Sequence, residues 1–314
     1  MTEKNAAADV IIIGAGPAGL SAAAWCVELG LKTIIFEKDP EPGGQLLHIF
    51  NPVTNYIGVE TANGRELRDL FVRSFEKGKP VTRLSAEIAE IDPLAKSIVA
   101  ASGERFPARA LIVATGVRRR SLGIPGEDTF QGKGIIESGS NEKEKVTGKT
   151  VLIVGGGDAA LENALILANK ASKVYVIHRR SELSARTEFT ERALNHPMIE
   201  FRRETVVKGI NGNSEVEAVE VAQINTGKIE KLAVDIVLVR IGVQPNTELL
   251  RAKIELDSKG YILVNSDCET SAPGVYAIGD AANPVAPTIS TAAGMGATAA
   301  KALQAWLNLQ VPLQ

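Results

Sequence analysis

Cysteine is nearly missing from this chain. Two occur in 314 residues, Cys26 and Cys268, and they stand 242 positions apart. This excludes a disulfide framework and leaves no metal-ligand spacing. Cys26 falls inside a helical stretch and Cys268 follows a short strand, so both read as structural. Net charge is also small: 35 Lys+Arg against 37 Asp+Glu give −2. No bulk electrostatic attraction to nucleic acid follows from that balance. No apolar run approaches the roughly 18–20 residues that a membrane span needs. Residues 1–10 are polar and lack the apolar segment of a secretory signal. These absences predict a soluble, cytoplasmic protein with no nucleic-acid and no membrane partner.

What is present is apolar and rich in glycine. Hydrophobic residues make up 45 % of the chain and there are 29 glycines. That suits an α/β protein with several tight turns, and the length allows two domains. Residues 10–37, VIIIGAGPAGLSAAAWCVELGLKTIIFE, organise the first of them. Residues 10–13 read as a buried parallel strand, and Gly14-Ala15-Gly16-Pro17-Ala18-Gly19 follows at once. An Ala-rich helix runs to about Leu29, and Gly30 caps it. A second strand covers residues 32–36, with Glu37 at its end, 23 residues after Gly14. This is the dinucleotide-binding fingerprint in its required strand–turn–helix–strand context. Gly14 permits the turn, Gly16 permits close approach of a pyrophosphate, and Gly19 permits close helix–strand packing. The helix N-terminus offers N–H groups to phosphate, and Glu37 can accept from ribose hydroxyls.

A Pro/Gly-rich loop, residues 38–45, follows on the cofactor side of the sheet, with Lys38, Gly44 and Gln45 in it. Residues 64–77 read as a helix and residues 83–110 as a β-meander, with turns at Asp92-Pro93 and Ser102-Gly103. Residues 110–114 return as a separate buried strand ending at Ala114-Thr115-Gly116. The pattern then repeats. Residues 150–154 read as a strand, and Gly155-Gly156-Gly157-Asp158-Ala159-Ala160 is a second nucleotide turn. A helix follows over 160–170 and a strand over 173–177. His178 stands 23 residues after Gly155, the interval that separates Glu37 from Gly14. A second meander covers residues 200–235. A strand over 236–240 ends at Ile241-Gly242, the counterpart of Thr115-Gly116. The tail returns to the first domain through a short strand ending at Gly279-Asp280, and a last helix runs from about Thr291.

The copies differ where chemistry is decided. A carboxylate such as Glu37 favours a free ribose 2′-hydroxyl and repels a 2′-phosphate. His178-Arg179-Arg180 offers guanidiniums that pair with a 2′-phosphate. The first site therefore suits FAD or NAD, and the second NADP(H). The structural alternative for the second segment is a solvated strand end.

Together these motifs resemble the low-molecular-weight thioredoxin-reductase-like flavoproteins over nearly the whole chain. The matching segments include Gly43-Gly44-Gln45-Leu46, Asn55-Tyr56, Ala114-Thr115-Gly116, the two nucleotide turns, His178-Arg179-Arg180, Ile241-Gly242 with Pro245-Asn246, and residues 270–280. The resemblance implies an α/β fold of two Rossmann-like, three-layer ββα domains, the second inserted in the first. Residues 1–117 and 245–314 would form an FAD-binding domain and residues 118–244 an NADPH-binding domain, in a homodimer. It also implies that Gly44, Gln45 and Asn55 line the flavin and that Asp280 binds its ribityl chain. Thr288, Ile289 and Thr291, at the start of the last helix, would face the pyrimidine end of the flavin.

One departure stands out. Thioredoxin reductases carry C-x-x-C-D before the second nucleotide turn. Here those positions are Ser138 and Asn141, with Glu142 at the acid. Neither residue can pass electrons through a disulfide. The chain is in this respect similar to the thioredoxin-reductase-like ferredoxin/flavodoxin–NADP reductases. A further arginine of the family falls on Ser184, with Arg186 near enough to replace it. The expectation is an FAD-dependent NADPH oxidoreductase with flavin-centred chemistry and no classical acid/base residue. Its acceptor would be an acidic carrier such as a ferredoxin, a flavodoxin or a thioredoxin-like protein. One alternative is a disulfide reductase using external thiols. Another is a flavin-binding electron-transfer or sensor module with weak NADPH turnover, holding NADPH or a second FAD near residues 155–180. Arg118-Arg119-Arg120 reads equally as a docking surface for an acidic carrier and as a solvated crossover loop.

Overall fold

A computed structural model of the chain describes residues 8–310. Most of the polar N-terminal stretch, residues 1–7, and residues 311–314 lie outside the described residues. The chain forms two compact units. Unit 1 comprises the chain up to Arg118 and from Gln244 onward, and unit 2 runs from Arg119 to Val243.

In unit 1, strand β1 (Ala8–Ile13) leads through the first glycine turn into helix α1 (Pro17–Glu28) and strand β2 (Thr33–Phe36). Helix α2 (Gly64–Glu76) precedes strands β3 (Val81–Arg83), β4 (Ile88–Asp92), β5 (Ser97–Ala100) and β6 (Arg105–Val113). The sheet order is β3-β2-β1-β6-β5-β4. Strands β3, β2, β1 and β6 are parallel, and β6, β5 and β4 are antiparallel. The meander and the returning strand, expected as separate elements, are thus continuous. The first half of β6 closes the meander against β5 and its second half pairs with β1. No turn interrupts it between Phe106 and Val113, and Pro107 is accommodated within the strand. Both faces of β1 are covered: Val10 and Ile12 join the cluster under the helices, Ile11 and Ile13 the one under the meander. A strand buried on both faces is apolar at every position, which is why residues 10–13 do not alternate with polar residues.

The chain leaves unit 1 along β7 (Val117–Arg119). Unit 2 contains β8 (Ile135–Ile136), β9 (Thr150–Val154), helix α3 (Asp158–Ala168), β10 (Lys173–Ile177), helix α4 (Thr187–Leu194) and β11 (Ile199–Arg202). The antiparallel β12 (Thr205–Gly212), β13 (Val216–Gln223) and β14 (Ile229–Ala233) follow, then β15 (Ile236–Val239). Its parallel sheet has the order β11-β10-β9-β15-β8. Val151 and Ile153 of β9 face the helices; Leu152 and Val154 face the three-stranded layer. Here the meander and the central strand are separate, because Asp235 intervenes and its carboxylate accepts from the Thr150 N–H at 2.8 Å.

The chain returns along β16 (Val243–Pro245), which pairs with β7. Strand β17 (Val275–Ala277) joins β6 in parallel, and helix α5 (Ile289–Leu309) packs on α1. α5 starts two residues earlier than the sequence pattern suggests. Thr288 is its N-cap, and Thr288 and Thr291 form a reciprocal capping box. No helix among the described residues is long and apolar enough to cross a membrane.

Candidate functional site

Each unit carries one glycine turn at the carboxyl ends of its parallel strands, and the two turns are built alike. The Gly14 N–H donates to the Phe36 carbonyl at 2.8 Å, and that of Gly155 to the Ile177 carbonyl at 2.9 Å. Both residues have positive φ, +104° and +148°. A Cβ at Gly14 would lie 2.4 Å from the Ala114 oxygen; one at Gly155 would lie 2.1 Å from the Arg240 oxygen. These glycines are required by the fold itself, before any ligand is considered.

Gly16 is different. Its φ of −73° suits any residue, and the nearest atom to a Cβ there is the Gly44 Cα, 4.0 Å away. Nothing in the protein demands glycine at this position. A Cβ would point into the open cradle between the turn and the 3-10 segment Gly44–His48. That cradle is the space a pyrophosphate needs at the N-terminus of α1, so the residues present fit an adenine dinucleotide. The Gly43 N–H donates to the Ala15 carbonyl at 2.8 Å and fixes the loop against the turn. Ala18 and Gly19 form the first turn of α1, where a Cβ at Gly19 would strike the Gly14 carbonyl at 1.9 Å.

Glu37 is buried, and its carboxylate already serves the protein's own backbone. One carboxylate oxygen accepts from the Ala15 N–H at 2.8 Å and the other from the Asp39 N–H at 3.0 Å. The acid pins the glycine turn to the end of β2. It meets a ribose only with its remaining lone pairs. Thr115 points to a structural partner: its hydroxyl donates to the Asn246 carbonyl, and the Asn246 amide donates back to the Thr115 carbonyl. Gln45 donates to the Val117 carbonyl at 3.0 Å. Lys38, Gln45 and Asn55 are exposed. Ala114 borders the turn, its carbonyl facing Gly14, and Gly116 follows it.

Asp280 lies in the 3-10 turn Gly279–Ala281, next to the start of α5. Its carboxylate has no hydrogen-bond or ion-pair partner among the described residues, and burial pushes its pKa up. A half-buried acceptor without donors suits the hydroxyls of a ribityl chain. The raised pKa means that the folded state binds this proton more tightly than the unfolded state does. The contribution of Asp280 to stability therefore falls as pH rises above the unfolded value, about 3.9. Asp280→Asn is expected to raise the melting midpoint of the flavin-free protein at pH 7, on the order of 2 °C, and to weaken flavin binding. Thermal scans at pH 7 and pH 3.5 check this; the gain should vanish at the lower pH.

In unit 2, Gly156 is explained by His178. A Cβ at Gly156 would lie 2.5 Å from the imidazole Nδ1, so the ring occupies the space beside the turn. Burial, then the charges of Arg180, Arg179 and Arg203, push the His178 pKa down, against a backbone hydrogen bond with Glu182. Its Nε2 is buried without a partner. Arg179 and Arg180 are exposed and make no ion pair among the described residues, as a 2′-phosphate site requires. Gly157 is open like Gly16, and Asp158 and Ala159 begin α3.

Arg186, expected to replace the missing arginine, is tied to Asp158. Its N–H and Nε donate to the Asp158 carboxylate at 2.7 and 2.8 Å, and its guanidinium stacks on Phe189. These contacts hold the Asp158 pKa below its usual value. The Ser184 hydroxyl lies 3.3 Å from the Gly156 carbonyl instead.

Arg118-Arg119-Arg120 is not a free basic surface. Arg118 pairs with Glu248 and donates to the Asn246 side chain. Arg119 donates to the Glu137 carbonyl and Arg120 to the Val243 carbonyl. Only the Arg118 charge is met by a carboxylate; Arg119 and Arg120 are exposed and donate to neutral carbonyls. Ile241 and Gly242 continue from β15, and the Gly242 carbonyl accepts from Arg120 N–H at 3.0 Å.

The segment that holds a dithiol in thioredoxin reductases is a closed polar turn. The Ser138 hydroxyl accepts from the Asn141 N–H at 3.3 Å. Glu142 accepts from the N–H groups of Glu137 and Ser138 and pairs with Lys145. Burial raises the Glu142 pKa, but these bonds outweigh it and hold it low. The Gly139 N–H donates to Asn163 at 3.0 Å. Sequence reasoning missed Asn163 and Arg240, and it named Asn246 without its partner Thr115. Arg240 carried a signal: its counterpart in the first copy is Ala114, so the repeat itself does not call for it.

Comparison with known proteins agrees with this arrangement. Relatives include the thioredoxin reductase of Treponema pallidum, 34% identical over 96% of this chain and 97% of that one. That of Mycolicibacterium smegmatis is 35% identical over 99% and 100%. The solved structure of Lactococcus lactis thioredoxin reductase superposes with a TM-score of 0.84 at 28% identity, covering 97% of this chain and 100% of that one. These names lend no support to a ferredoxin or flavodoxin acceptor. The cofactors are FAD and NADPH. With residues 8–296 matching its pattern, the chain belongs to the pyridine nucleotide-disulphide oxidoreductase family and is a FAD-dependent NAD(P)H oxidoreductase of the thioredoxin-reductase-like kind.

Proposed function

We propose that unit 1 binds FAD, that unit 2 binds NADPH, and that the electrons leave for a disulfide outside this chain. The observation that carries the assignment of nucleotides is the contrast at the two strand ends. Glu37 is a buried carboxylate tied to the first turn, and Arg179 and Arg180 are exposed, unpaired cations beside the second. Bound FAD would accept hydride from NADPH and pass two electrons on. The chain's own residues bind and orient: Gly16 and Gly44 leave the cradle open, Asp280 accepts from hydroxyls, and the capping box fixes the positive end of the α5 dipole.

An external disulfide suits both the relatives and the chain. The relatives are thioredoxin reductases, and the turn at residues 138–142 holds no thiol. The balance is one NADPH and one proton consumed for one NADP⁺ and two thiols formed. A homodimer in the cytoplasm is part of the same reading.

NADPH should be preferred to NADH. Losing one charge-assisted phosphate contact costs about 1.5–3 kcal/mol, roughly tenfold to a hundredfold in affinity. Arg179→Ala with Arg180→Ala should weaken NADPH by at least that factor and leave NADH nearly unchanged. Anaerobic stopped-flow bleaching of the flavin measures both. Equal losses for the two nucleotides would sink the assignment, and slow bleaching of the wild type by either would favour a sensor module.

A further inference from the structure

Two guanidiniums in unit 2 have no counterpart in the repeat and no carboxylate partner. Arg240 follows β15 and is half-buried. Its Nη1 donates to the Val239 carbonyl at 2.8 Å and its Nη2 to the Glu137 carbonyl at 2.5 Å. Arg119 donates to the same Glu137 carbonyl. Among the described residues neither forms an ion pair. Burial, then the charge of Arg119, lowers the Arg240 pKa to about 10, against the carboxylates of Glu137 and Glu142. Glu142 is already engaged by Lys145 and two N–H groups. Two like charges sharing one neutral carbonyl repel each other, and a bound anion would relieve that repulsion.

Their place in the sheet says which anion. The order β10-β9-β15-β8, all parallel, puts the reversal of strand order between β9 and β15, the crevice where open α/β sheets bind ligands. Gly155 ends β9 on one side of it, and the Arg240 carbonyl lies against Gly155 from the other. Arg179 and Arg180 follow β10, one strand spacing of about 4.8 Å beyond β9. Arg240 follows β15, the same spacing in the opposite direction. A dinucleotide with its adenosine 2′-phosphate at Arg179 and Arg180 must run across the glycine turn toward β15.

We propose that Arg240, with Arg119 beside it, binds the nicotinamide-side phosphate of the dinucleotide and so positions its nicotinamide half. This rests on the reading of unit 2 as the NADPH site. It separates two functions: Arg179 and Arg180 choose between NADPH and NADH, whereas Arg240 serves both alike.

Calorimetric titration of the FAD-loaded protein with NADP⁺, NAD⁺ and adenosine 2′-phosphate tests it without turnover. Arg240→Gln should weaken NADP⁺ and NAD⁺ by the same factor, about tenfold to a hundredfold, and leave adenosine 2′-phosphate unchanged. Arg240→Lys should recover part of the loss, which a purely structural tie to Glu137 does not predict. Arg119→Gln, at an exposed position, should show the same pattern more weakly and carries the test if Arg240→Gln does not fold. Unchanged NADP⁺ and NAD⁺ binding in these variants, or an equal loss for all three probes, would overturn the proposal. The NADPH reading fails separately, in the wild type, if NAD⁺ binds as tightly as NADP⁺ and adenosine 2′-phosphate does not bind. The effect on NAD⁺ alone then still decides the role of Arg240.

Discussion

Gly16→Val should give a folded protein without flavin. The backbone at Gly16 is extended, with φ −73° and ψ −177°, a conformation valine adopts readily. A Cβ there meets nothing closer than 4.0 Å. The flavin-free variant should therefore melt within a degree or two of flavin-free wild type. The same methyl groups fill the cradle where backbone must touch a pyrophosphate, so FAD should be absent from the purified protein. Gly14→Ala makes the contrast. Its φ of +104° and the 2.4 Å approach to the Ala114 oxygen make it a folding defect, on the order of 2–3 kcal/mol or more. Absorbance of the purified proteins near 450 nm and their melting curves separate the two effects. Full FAD occupancy in Gly16→Val would refute the assignment of this site.

That contrast also shows which features a sequence can carry. Gly14, Gly19 and Gly155 are read correctly because their constraint is local: a turn, a positive φ, a nearby carbonyl. The strands β1 and β9 are legible because burial on both faces forces every position to be apolar. The repeat exposes the second turn at the same 23-residue interval. Side-chain partnerships across long separations are not legible in this way. Glu37 has the position of a ribose acceptor, but the sequence does not show that each of its oxygens also accepts a backbone N–H, from Ala15 and Asp39. Arg186 has the spacing of a phosphate ligand, but Asp158 claims it. In the run Arg118-Arg119-Arg120 the extended backbone sends the side chains to different partners, a carboxylate for Arg118 and backbone carbonyls for Arg119 and Arg120. Fusion of the meander with the central strand in β6 escaped for the opposite reason. An unbroken strand leaves no turn signal to mark where one pairing gives way to another.

Reductive titration should take up two electrons per chain. An active disulfide beside the flavin would make the count four. Every thiol in the chain argues for two. Cys26 lies within α1 and Cys268 just before β17; both are buried, free and part of one cluster in unit 1. Burial pushes the Cys26 thiol up to about 12 and that of Cys268, with help from the Asp267 charge, to about 11. Near pH 7 neither supplies the thiolate that disulfide exchange requires. The turn at residues 138–142 keeps its hydrogen bonds with a hydroxyl and an amide, so it is closed by polar caps where the relatives' reaction calls for sulfur. Reduction of an acceptor must then depend on the flavin and not on the cysteines. Cys26→Ala with Cys268→Ala should retain NADPH-dependent acceptor reduction within about twofold of wild type. Alanine is the better replacement because a serine hydroxyl would be buried without a partner, at a cost of about 1–3 kcal/mol. Anaerobic dithionite titration gives the electron count, and a screen of disulfide acceptors with the variant gives the rate. A count of four, or loss of acceptor reduction in a variant that keeps its FAD, would show that a thiol of this chain does take part.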